Sequence, residues 1–180
     1  MSELKQPQSD AAQEFVDTTL RALQTERGIH AETAVAALAR MAGTFMFRSF
    51  GNPIGDFQPG QILVTEKTDQ YGPNLVYVLG SVLSHLGVSI GTVKLGEPLN
   101  PDNRPLQSFL ETQRLLEPAL MAVGARHNLS LLAAAEAGAV ATALLIQQSA
   151  GVLDPNIAFS IAVNGFIEGT KTAPDPVIRA

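Results

Sequence analysis

Residues 129–151 read LSLLAAAEAGAVATALLIQQSAG. Ala133, Ala134, Ala135, Ala137, Gly138, Ala139, Ala141 and Ala143 fall on every side of the helix that such a run forms. A helix without a polar face is buried all round. Small side chains also let neighbouring backbones come close, so the stretch predicts the central helix of an all-α bundle. Its one charged residue is Glu136. A buried carboxylate left alone costs several kcal/mol, so Glu136 must pair, protonate or face an opening. Either it pairs with Arg40, Arg126 or another basic group, or it sits at a rim touching water; the alternative is that Glu136 anchors an internal cavity.

Working outward, five more helical segments appear. Asp10 to Arg27 opens on a capping-box pair, Asp10 and Gln13, and places Ala12, Phe15, Val16, Leu20 and Leu23 on one face. Ala31 to Phe50 follows, with Arg40 and Arg48 off its apolar face. Pro73 suits the first position of a third helix ending near His85, and Pro105 that of a fourth. Pro118 then calls for a kink or break. Asn128 caps the fifth segment, and Asp154-Pro155 starts a sixth that runs to about Glu168. Between the second and third helices, residues 51–72 are irregular. There Ile62 to Thr65 suggests a short β-element whose partner would be Val88 to Leu95. The expected organisation is a disordered stretch over 1–9, one domain of about six helices over 10–169, and a flexible tail over 170–180.

Two stretches approach the length of a membrane span. Residues 74–93 carry no Lys, Arg, Asp or Glu, and residues 129–151 carry only Glu136. Ala, Gly and Ser favour insertion weakly, and neither stretch has basic residues on one flank only. Both therefore read as buried helices of a soluble, cytoplasmic protein. Two such helices among six exceed what a monomer of this size covers, so a homodimer is expected.

Composition narrows the chemistry. The chain has 180 residues, 46% hydrophobic and only 16% charged, with no Cys. Disulfides, thiol nucleophiles and Cys-ligated metal centres are excluded. A net charge of −5 argues against nucleic acid and anionic membrane as partners. His30, His85 and His127 sit in three different segments, and neither Glu-x-x-His nor His-Glu-x-x-His occurs, so no metal or other cofactor is expected. Gly55 to Ile62, GDFQPGQI, shares two glycines with a phosphate-binding loop but has Gln61 and Ile62 where Lys and Ser or Thr belong. No catalytic motif emerges.

If a small-molecule site exists, the residues for it are His85, Glu136 and Tyr71. His85 shares a stripe with Asn74, Ser81, Ser89 and Thr92 that holds neither Lys nor Glu. Such a stripe either lines a pocket or packs on another helix. Tyr71 lies in the 51–72 region with Asp56, Glu66, Lys67 and Asp69, where a loop on a rigid scaffold often carries function.

Thr25 to Phe50, TERGIHAETAVAALARMAGTFMFRSF, resembles the N-terminal helix-turn-helix of TetR-type transcription regulators. Glu26-Arg27-Gly28 matches the first turn of that motif, and Ala39-Arg40-Met41-Ala42-Gly43 the end of its first helix. The resemblance implies a recognition helix after Gly43, yet Thr44 to Arg48 follow without turn residues. Three readings follow. The first is a soluble, self-associating helical protein with a binding or assembly role. The second is a small-molecule-binding protein or enzyme with its pocket near His85, Glu136 and residues 51–72. The third is a TetR-like DNA-binding regulator.

Overall fold

The computed structural model describes residues 6–51, 57–93 and 98–176. The helices are α1 (Gln6–Leu23), α2 (Ala31–Ser49), α3 (Glu66–His85), α4 (Phe109–Arg126), α5 (Leu131–Ser149) and α6 (Pro155–Lys171). Among the described residues there is no strand, so the fold is an all-α bundle.

Side-chain caps set the helix starts, and several differ from the sequence expectation. The hydroxyl of Thr65 accepts from the Thr68 amide, so α3 begins at Glu66 and Pro73 lies inside it. Ser108 and Glu111 form a reciprocal capping box, which moves the start of α4 past Pro105. Ser130, not Asn128, caps α5, and Asn128 takes a positive φ of 54°. Asp154-Pro155 opens α6 as expected. α4 runs through Pro118 without ending. α1 starts at Gln6, so residues 6–9 are helical rather than disordered, and Gln8 is buried. Residues 1–5 lie outside the described set.

The helix wrapped on all sides is α2. Every residue from Thr33 to Phe47 is buried, and α2 packs against each of the other five helices. α5 lies beside it, buried along Ala134, Ala135 and Ala137 to Ala143, while Leu132 and Gln147 reach the surface. The alanine run therefore supplies the second interior helix and not the hub. Glycines explain the exchange of roles. A methyl on Gly43 would lie 2.7 Å from the Phe166 carbonyl oxygen, and one on Gly169 would lie 2.2 Å from that of Arg40. Gly165 and Gly138 approach Ala39 and Ala42 in the same way. Gly165-x-x-x-Gly169 thus lays the backbone of α6 directly on α2, and Gly138 does so for α5.

The two arginines of α2 find protein partners. Arg40 donates to Glu168 (2.7 Å), to the Gln107 carbonyl (2.8 Å) and to Thr112 (3.1 Å). Arg48 makes two bonds to Glu117, which is fully buried, and a third to the Asp175 carbonyl at 2.7 Å. Both arginines lie off the apolar face, as expected, but are buried beneath α4 and α6 and fix how those elements sit.

The segment after α6 is seated rather than loose. Thr172, Ala173 and Pro174 are buried. Leu63 N donates to Lys171 O (2.6 Å), and Ala173 N to Gln61 O (2.8 Å), giving one isolated bridge between Ile62 and Thr172. Residue 62 therefore pairs with the end of the chain and not with 88–95, of which Val88, Ile90 and Val93 pack on the core. Gln113 and Arg114 hold Asp175. The expected flexible tail is thus ordered from 170 to 176, and residues 177–180 lie outside the described set, as do Asp56, Gly55 and residues 94–97.

Candidate functional site

The structure does not gather His85, Glu136 and Tyr71 into one site. Tyr71 and His85 are both on α3, 14 residues apart, which is about 21 Å along the axis at ~1.5 Å per residue. Tyr71 is half-exposed at the first turns, its ring 5.9 Å from that of Phe50. His85 is exposed in the last turn.

Glu136 belongs to a different corner. It pairs with neither arginine considered for it, since Arg40 is held by Glu168 and Arg126 by Glu14. Instead Gln8 Nε2 donates to its carboxylate at 2.8 Å. Glu136, Gln8, His127, Ser130 and Leu132 line a hollow of about 560 Å³ that His85 and Tyr71 do not border. Beside it, Glu14 accepts from Arg126 and lies 2.8 Å from His127 Nε2. The hydrogen bond from Arg126, then that from His127, hold the Glu14 carboxyl below the usual carboxylate range. Among the described residues no group of three or more His, Asp or Glu is arranged to hold a metal ion.

The segment that resembles a helix-turn-helix is one unbroken, buried helix from Ala31 to Ser49. Gly43, where a turn was implied, lies against Phe166 and Gly169. No recognition helix is presented there.

A larger feature comes from the distribution of charge. α1 exposes Asp10, Asp17 and Arg21, and α4 exposes Glu111, Arg114 and Arg126. Between Gln70 and Val93, and again between Pro155 and Ile167, there is no Lys, Arg, Asp or Glu. These two stretches contain most of α3 and α6, which pack side by side. Their outer surface carries Pro73, Asn74, Tyr77, Ser81, Ser84, Asn164 and Ile167. Of the nine large apolar side chains exposed among the described residues, five (Ile62, Val64, Tyr71, Tyr77 and Ile167) belong to α6 or to the segment entering and forming α3. Tyr71 among them packs on Phe50 and Ile62 bridges to Thr172, which leaves Tyr77 and Ile167 as the two that border the space between α3 and α6. A groove of about 380 Å³ runs between the two helices, bordered by Gly72, Pro73, Val76, Tyr77, Phe166 and Ile167. An ion pair between Asp69 and Lys171 (3.1 Å) lies at one end.

Reasoning from sequence saw the uncharged stripe on α3 but took that helix as buried. Only Thr68, Leu75, Leu79 and Leu83 of α3 are buried, so the stripe faces outward. The Gly165–Gly169 spacing was the missed signal. It places α6 hard against α2 and leaves α3 on the outside.

α5 is the one described helix long and apolar enough to cross a membrane, and most of that stretch is buried against other helices. Comparison with known protein families, curated proteins and solved structures finds no match.

Proposed function

We propose that the chain is a self-associating helical protein with a binding or assembly role, working in aqueous solution in the cytoplasm. The observation that carries this reading is the uncharged α3–α6 face on a molecule whose net charge is −5. Copies of an acidic protein repel through their charged faces. A face without charge lets like surfaces meet without apposing like charges. Exposed helices normally carry Lys and Glu outward along their length, as α1 and α4 do, whereas α3 does so only in its first turn, at Glu66, Lys67 and Asp69.

Light scattering coupled to size exclusion, run across a range of concentrations, tests the proposal. The expected mass is twice 19.0 kDa, falling on dilution. A mass of 19.0 kDa at every concentration overturns it.

The hollow at Glu136 supports a second reading, a small-molecule site in which its carboxylate anchors a polar or cationic group. A metabolite that raises the melting temperature of the wild type but not of Glu136→Gln would favour it. Equal shifts in both proteins would place the ligand elsewhere.

A further inference from the structure

We infer that the occupant of the α3–α6 groove is the same groove of a second copy, docked about a two-fold axis near Tyr77. This rests on the self-association reading and names the surface that performs it. Tyr77 is 61% exposed and Ile167 41% exposed, and they border a groove whose lining includes Gly72, Pro73, Val76 and Phe166, with the Asp69–Lys171 pair as its charged members. Side chains of this kind are the anchors around which interfaces are built.

Charge favours a second copy as the occupant. In a two-fold contact the residues nearest the axis meet themselves. A Lys or Glu there would face its own kind, and α3 carries no charged residue from Gln70 to its end at His85. The charges at the groove's one end, Asp69 and Lys171, already cancel in a pair.

The glycines of α3 supply an independent reason. Nothing lies within 4 Å of where a side chain on Gly72 or Gly80 would begin. Glycine weakens a helix relative to alanine, and nothing inside the subunit requires it at these positions. A partner helix could approach α3 closely there.

The absence of Cys makes a direct test simple. Single variants Asn74→Cys, Ser81→Cys and Ser84→Cys, with Asp17→Cys and Gln148→Cys as controls, are oxidised mildly and run without reductant. All five positions are exposed, so the fold tolerates them. Disulfide-linked dimers are expected at one or more of the α3 positions and at neither control. In parallel, Tyr77→Glu sets two carboxylates across the axis and is expected to weaken association at least tenfold with an unchanged helical spectrum. If the wild type is dimeric but Tyr77→Glu associates as tightly and no α3 variant cross-links, this docking site is wrong while self-association stands. If the wild type is monomeric throughout, both fail together.

Discussion

Gly169, in the last turn of α6, and Gly80, in the second half of α3, do opposite things. At Gly169 a single methyl would collide with the Arg40 carbonyl and with Gly43 of α2. At Gly80 the same methyl would meet empty space. The first glycine is consumed by the subunit's own packing; the second is left over from it. The same division holds for charge. Around α2 the ionic groups are paired, Arg48 with the fully buried Glu117 and Arg40 with the part-exposed Glu168. Along α3 from Gln70 to His85 there is no Lys, Arg, Asp or Glu. One region is finished within the chain, and the other has the features of a surface that something else completes.

The sharpest way to break that contrast is at the finished end. Glu117→Ala leaves Arg48 buried without its carboxylate, and a loss of about 3–5 kcal/mol in unfolding free energy is expected from denaturant titration. Replacing both members by apolar residues, Arg48→Met with Glu117→Leu, should recover most of that loss. A Glu117→Ala protein as stable as the wild type would show that the pair does not hold α4 and the chain end on α2.

Gly169→Ala should cost about 3 kcal/mol, because backbone rather than a movable side chain stands in the way. Gly80→Ala should have the opposite sign, raising monomer stability by up to about 1 kcal/mol through helix propensity alone. Thermal melts at low protein concentration compare the two directly. Equal effects would erase the distinction between a used and an unused glycine.

The smallest effect lies at the α1–α4 corner. Glu14 is held below the ordinary carboxylate value of 4.5 by Arg126 and His127. A lowered folded-state value means that the stabilisation is present above the unfolded carboxylate range and is lost as pH falls through the folded value. Both partners are on the surface, so the contribution is small. Glu14→Gln should lower the melting temperature slightly at neutral pH and converge on the wild type in acid, so the acid side of its profile is a little flatter. A profile identical to the wild type's would remove the pair from the stability account.

Much of the bundle was legible because helix periodicity and caps are local. Asp154-Pro155 marks the start of α6, whereas α1 ends at Leu23, short of the stop expected at Gly28, whose φ of 93° serves the turn that Thr25 and Gly28 close. Errors arose where two local signals competed. Pro73 and Pro105 both suit a first helical position, but the hydroxyls of Thr65 and Ser108 set the starts elsewhere. Of the candidate site residues, Glu136 does border a hollow, while His85 and Tyr71 sit far apart on one helix face pattern that sequence alone could not orient. An Ala-rich run looks buried whether it is the hub or its neighbour.

Composition and spacing by themselves determined that the chain is helical, that its charges are few and unevenly spread, and that thiol chemistry is absent. Each of these follows from residue identity within a few turns. Which helix occupies the centre, where Arg40 and Arg48 find their partners, and which uncharged face remains outside were decided only in three dimensions. Those outcomes depend on contacts between residues far apart in the chain, such as Gly43 with Gly169 and Arg48 with Glu117, and steric fit at such contacts has no signature in either partner alone.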